Sequence, residues 1–178
     1  MLFFTADEHY GHANIIEYCS RPFANVGEMN DEIIRRHNEV VTEDDTVWHA
    51  GDFTLSTHKY AENIIRRLNG QHLFVRGSHD KWMKNSDDLF NPFREIVELR
   101  VDKQTIVVIC HYAMRVWSRS HYNSWQVYGH SHGHLPPQGK QWDVGVDNNN
   151  FYPVSSDQLT KIMAKQPDNF NLVKKKTK

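Results

Sequence analysis

The chain predicts an α/β fold with a ligand site along one edge of its sheets. Two observations predict it. Short apolar runs that read as strands alternate with segments whose apolar residues recur at helical spacing. One such run after another also empties into glycine or a small residue followed by aspartate or histidine. Open α/β sheets hold their ligands at the carboxyl ends of strands, and these polar residues fall where such a site belongs.

Taken in order, residues 2–6 read as a buried strand that delivers Asp7-Glu8-His9. Residues 13–19 read as a helical turn or two, closed by Arg21-Pro22. Ile33, Ile34, His37, Val40 and Val41 mark the buried face of a helix over about 28–41. A turn at 43–45 leads to a strand at 46–50 that presents Gly51-Asp52. A helix follows with Ala61, Ile64, Ile65 and Leu68 inward and Gly70 placed as its C-cap. The strand at 72–75 empties into Arg76-Gly77-Ser78-His79-Asp80. Residues 89–93 are interrupted by Pro92, after which 96–101 and 105–110 form a hairpin turning at Asp102-Lys103. The second hairpin strand ends in His111-Tyr112, and 113–124 reads as a long loop, a kind of segment that is often functional. The run Trp125, Val127, Tyr128 is a strand leading into Gly129-His130-Ser131-His132. In extended chain, residues two apart share a side, so His130 and His132 are expected to face one point, as are Asp7 and His9. A strand at 142–146, a turn at 147–150 and a capping box at Ser155 and Gln158, opening a helix to about Lys165, complete the chain.

Composition narrows the function. The 178 residues suffice for one domain with a proper core and show no internal repeat or linker. A single domain over 1–178 is expected, with about 167–178 as a basic tail ending in Lys174, Lys175, Lys176 and Lys178. A net charge of −1 argues against a nucleic-acid binder held by bulk electrostatics. Histidines number twelve, whereas the two cysteines, Cys19 and Cys110, lie far apart and form no Cys-x-x-Cys unit. A disulfide framework is not expected, and a reducing cytoplasm is the natural home. The first residues carry no basic segment and their apolar run stops at Asp7, so neither a signal peptide nor a membrane span is expected there.

Collected, the strand-end residues are Asp7, His9, Asp52, Ser78-His79-Asp80, His111, His130 and His132. Mixed carboxylate and imidazole donors without thiolate suit manganese, iron, zinc or nickel. They are too many for one ion, and two ions sharing a carboxylate are the standard device for in-line displacement at phosphorus. In this order, Asp7-Glu8-His9, Gly51-Asp52, Gly77-Ser78-His79-Asp80, His111 and Gly129-His130-Ser131-His132 resemble the signature of the calcineurin-like metallophosphoesterases. The resemblance runs over most of the chain, and Val144-Gly145-Val146-Asp147 with Pro153 is similar to the small bacterial and phage members.

The resemblance implies an αββα sandwich, two β-sheets face to face with helices outside. It implies one divalent cation held by Asp7, His9 and His132, a second by His111 and His130, and Asp52 bridging both; manganese is favoured. His79 would touch the phosphate and serve the leaving oxygen, with Asp80 holding its imidazole in the right tautomer. Ser78 departs from the family pattern, which has an asparagine ligand to the second cation; a serine hydroxyl is a poorer donor one bond closer to the backbone, so that site is expected to be weakened. His12, Asn14 and Arg21 are candidates to line the substrate pocket, Arg76 and Arg115 (or Arg119) to clamp an anionic group, and Trp117 and Tyr122 to stack on a base, although packing of the loop on the body is the favoured role for these two aromatics. The expected activity is hydrolysis of a small phosphodiester of a nucleotide or cyclic nucleotide. A nuclease, a phosphomonoesterase, or a nucleotide-binding protein weakened at Ser78 stand as alternatives.

Overall fold

In the computed structural model, which describes residues 1–85 and 94–173, two four-stranded sheets form a layered α/β sandwich. The first sheet comprises β1 (Leu2–Thr5), β2 (Thr46–His49), β3 (Gln71–Phe74) and β8 (Val154–Ser155), in the order β3-β2-β1-β8. The second comprises β4 (Ile96–Arg100), β5 (Ile106–Cys110), β6 (Trp125–Tyr128) and β7 (Gln141–Asp143), in sequential order. β1, β2 and β3 run parallel, as do β5, β6 and β7, so their carboxyl ends gather on shared edges. An isolated parallel bridge between Ala6 and Gly145 joins the two edges. The candidate site grows from that seam.

The alternation of each strand explains the layers. Phe4, Trp48 and Val75 face inward against Val97, Val107, Ile109 and Val127, and α4 (Ser156–Lys165) adds Leu159 and Met163 to the same core. A second apolar cluster lies outside the first sheet. There α1 (Asn14–Tyr18), α2 (Val26–Val40) and α3 (His58–Ile65) pack Ile15, Met29, Ile33, Ile34, Ala61 and Ile64 against Phe53 and Phe74. The outer face of the second sheet is covered by the segment 112–124. Gln126 accepts from Met114 N and donates to Tyr112 O, and Gln141 donates to Met114 O. Buried glutamines thus tie the long loop to the sheet, and Gln141 also donates to Gln126 Oε1.

The helix ends follow local chemistry. Asn25 caps α2 by accepting from Glu28 N, and the Ser155–Gln158 capping box of α4 is reciprocal, as expected. Three expectations change. α3 stops at Ile65 with Arg66 as its C-cap, and its last turn tightens through Arg67 N to Ile64 O and Leu68 N to Ile65 O. Gly70, at φ +102°, instead turns the chain into β3. β7 ends at Asp143, because Gly145 N turns back onto the Asp143 carboxylate. Residues 167–173 are not a loose tail. Asn169 is buried and bonds Ser120 O, Ser124 O and Lys140 N, and Val173 N donates to His121 O. The expectations for residues 89–93 and 174–178 lie outside the described residues.

Candidate metal centre

β1 and β2 continue side by side past their last residues, with Asp7 N donating to Gly51 O and His9 N to Asp52 O. From the second sheet, Gly129 N reaches His111 O, and His130 N donates to Asp7 Oδ1 at 3.0 Å. These bonds draw Asp7, His9 and His132 together, with one donor atom from each lying within 4.8 Å of the others. Asp52, His111 and His130 form a second such group. The Asp52 carboxylate also faces the first group: its Oδ2 is 3.2 Å from His111 Nε2 and 3.8 Å from His9 Nε2.

The backbone that achieves this is not extended. Asp7 (φ +58°), His9 (+53°), Asp52 (+58°), His130 (+67°) and His132 (+47°) all sit in the left-handed region. Such conformations cost about 1–3 kcal/mol each outside glycine, although aspartate and histidine tolerate them better than most residues. The expectation that His130 and His132 face one point is therefore corrected. The tight turn at Gly129–Gly133 sends His130 to the second group and His132 to the first. Two glycines are needed for close approach: a Cβ on Gly77 would lie 2.2 Å from Asp52 N, and one on Gly51 would lie 2.6 Å from His111 Nδ1.

Asp7 Oδ2 and both ring nitrogens of His9 are buried at this seam without a hydrogen-bond partner, and His111 Nε2 has the Asp52 carboxylate beside it at 3.2 Å. Buried polar atoms are normally satisfied, so a cluster of orphaned oxygen and nitrogen donors fits divalent cations. Neighbouring groups set the tautomers. His111 Nδ1 donates to Ala50 O at 2.9 Å and His132 Nδ1 to Asp147 Oδ2 at 2.7 Å, which leaves each Nε2 bare and basic, as a ligand nitrogen should be. Burial lifts the Asp7 carboxyl to about 7 and presses His9 down to about 3, both toward neutral forms in the protein alone. At His111 and His132 burial acts downward too, but the carboxylates beside them outweigh it and hold the imidazoles above the usual value. Asp52 is held low despite burial, chiefly by His111.

A model of the calcineurin-like phosphoesterase superfamily domain matches residues 6–142 of the chain. A Methanocaldococcus jannaschii protein described as uncharacterized is 32% identical over 174 residues, covering 92% of each chain. The chain belongs to the calcineurin-like phosphoesterase superfamily. A crystal structure of an Aquifex aeolicus protein of unknown function has the same fold, with a TM-score of 0.72 at 21% identity, covering 91% of this chain and 98% of that one. Membership makes this a metal-dependent phosphoesterase domain, and the two donor groups at the seam are its candidate cation sites.

The remaining expected residues fall in different places. His79 sits at the mouth, 46% exposed at its side chain, with Nε2 3.9 Å from Asp52 Oδ2 and its backbone N donating to Asp52 Oδ1. Asp80 does not hold the His79 imidazole. Its buried carboxylate accepts from Asp52 N, Phe53 N, Gly77 N and Trp82 Nε1, and it therefore locks the two glycine turns that aim Asp52. Ser78 points its hydroxyl at Asp52, 3.1 and 3.3 Å from the two carboxylate oxygens. His12 is half-buried, its ring 5.6 Å from that of His9, and Asn14 is exposed at the start of α1.

Arg21 does not line a substrate pocket. Its fully buried side chain bonds both oxygens of Asp147 and the carbonyls of Asp7 and Glu8. Arg115 bonds Gln138 and lies over the Phe170 ring, Arg119 pairs with Glu98, and Trp117 Nε1 closes its own loop onto Ser124 O. Tyr122 packs on His121. Trp117 closes the long loop on itself, while Arg115 and Arg119 tie that loop to Gln138 and to Glu98 of β4.

Asp147 and Asp143 are functional residues that the sequence reading passed over. Asp147 orients His132, and Asp143 accepts from Ser131 Oγ, Gly133 N and Gly145 N, fixing the turn that carries both histidines. The likeness at residues 144–147 pointed to the stretch, but its aspartate read as a turn residue. Cys19 also approaches His132 and Asp147. Burial raises its thiol to about 11, so it stays protonated and offers no thiolate.

Proposed function

We propose that this protein hydrolyses phosphodiesters of nucleotides or cyclic nucleotides in the cytoplasm, with two divalent cations, manganese foremost. One observation carries the reading: the Asp52 carboxylate, a donor beside His111 and His130, also stands 3.8 Å from His9 of the other group, with the exposed His79 imidazole 3.9 Å from it at the mouth. Asp7, His9 and His132 would hold one cation, His111 and His130 the other, and Asp52 both. Cations held by these residues would supply a water of lowered pKa and an offset for the charge gathering on phosphoryl oxygens. The chain's own residues do the rest. Asp80 and Asp147 keep Asp52 and His132 aimed. His79, free to meet solvent, hydrogen-bonds a non-bridging oxygen and gives its proton to the departing oxygen.

Hydrolysis of bis(p-nitrophenyl) phosphate by manganese-loaded protein tests this. Phenolate release is expected, falling by about a hundredfold or more in His79→Gln as the non-bridging oxygen loses its donor, and lost in Asp52→Asn. Release that survives Asp52→Asn unchanged would refute the proposal. Tight manganese binding without any release would favour a nucleotide-binding protein instead.

A further inference from the structure

A cavity of about 440 Å³ opens directly beside the second donor group. Its wall includes Ser78 and His111 and extends over Tyr112 and Ile96 to a rim formed by Arg76 and Glu95. Tyr112 and Ile96 are large apolar side chains left 49% and 53% exposed. The Tyr112 ring stands 4.9 Å from that of His111 and 4.8 Å from that of His130, so it borders the centre itself. At the rim, Arg76 Nη1 and Glu95 Oε1 are 4.0 Å apart.

We propose that this cavity receives the base of a nucleoside ester whose phosphate is held at the donor groups, an inference that rests on the phosphodiesterase reading above. The shared wall at Ser78 and His111 places a group in this cavity next to a phosphate held at the donor groups, close enough for both to belong to one ester. The volume falls within the roughly 300–1,000 Å³ of small-molecule sites. An exposed tyrosine ring is a platform on which any base can stack. A guanidinium beside a carboxylate matches the mixed donor and acceptor edge of a base. An alkyl group would leave both rim groups without a bond from the ligand, and a second phosphate would meet the Glu95 charge. Ser78 contributes by being small, since an asparagine there would narrow the passage between cavity and centre.

A series of p-nitrophenyl phosphodiesters tests this while keeping the departing phenolate constant. The second ester group is methyl, hexyl, or the 5′-oxygen of guanosine or thymidine. With manganese bound, the nucleoside esters are expected to exceed the methyl ester by about tenfold or more in kcat/KM, the size of ordinary base–aromatic stacking. The gain is expected mainly in KM, with the hexyl ester falling short. Tyr112→Ala should collapse the nucleoside-to-methyl ratio, and Tyr112→Phe, which keeps the ring, should preserve it. Equal kcat/KM across the series, or a ratio unmoved by Tyr112→Ala in folded protein, overturns the inference and leaves the phosphodiesterase reading intact. A hexyl ester that outruns the nucleosides assigns the cavity to aliphatic groups and overturns it too. No phenolate from any ester refutes the phosphodiesterase reading itself.

Discussion

Replacing Asp147 measures how far the first donor group depends on a side chain outside it. The Asp147 carboxylate accepts from Arg21 Nε at 2.8 Å, Arg21 Nη2 at 2.7 Å and His132 Nδ1 at 2.7 Å. Asparagine offers one acceptor oxygen and an amide that donates, so one side of this brace must face N–H against N–H. Removing one partner of a buried ion pair costs about 3–5 kcal/mol. Arg21 keeps its bonds to the carbonyls of Asp7 and Glu8, which places Asp147→Asn near the lower end, about 3 kcal/mol. Loss of a carboxylate behind a ligating histidine weakens metal affinity by about 10–100-fold.

Urea denaturation reads the first effect and calorimetric titration with manganese the second. A double variant, Arg21→Met with Asp147→Leu, separates them. Removing both charges together should restore part of the stability, short of the whole because the carbonyls of Asp7 and Glu8 lose their donor, while affinity stays low because His132 still lacks its acceptor. Manganese affinity within about twofold of the starting protein, in either folded variant, would refute the argument.

Three further outcomes are expected. Gly77→Ala brings a Cβ to 2.2 Å from Asp52 N and Oδ1, so denaturation should show a loss of about 1–3 kcal/mol and calorimetry one cation fewer. Ser78→Asn, with an amide oxygen replacing a weaker hydroxyl, should tighten the weaker manganese site by about tenfold; calorimetry showing no gain would contradict the weakened-site reading. Burial holds the His37 imidazole at about 4, against about 6.5 in an unfolded chain. Between those values the unfolded chain takes up a proton that the folded chain refuses, so the residue's contribution, complete above 6.5, is lost as pH falls. The stability of the starting protein relative to His37→Gln should therefore fall by up to about 1.4 kcal/mol per pH unit in that window, and a constant difference would contradict this.

The strands and the order of the donor residues were legible in the sequence because both are local. An apolar run followed by Asp52 or His111 marks a strand exit whatever the rest of the chain does. The backbone at those exits was not legible. Hydrophobic periodicity carries no sign of φ, so the left-handed turns that part His130 from His132 came only with the structure. Arg21 was read as lining the substrate pocket because its partner lies 126 residues away at Asp147, and no spacing announces a pair that distant. Asp80 was expected to face its neighbour His79, yet it turns inward to backbone N–H groups that arrive from another strand exit. β8, only two residues long, is too short to show alternation. The exposed tyrosine beside the centre looked in sequence like the end of a strand.

Anomalous diffraction from crystals grown with manganese tests the central claim most directly. Two peaks are predicted, about 3.5–4 Å apart, one among Asp7, His9 and His132, the other between His111 and His130, with Asp52 reaching both. A single peak, or a pair of peaks that the Asp52 carboxylate fails to join, would contradict it.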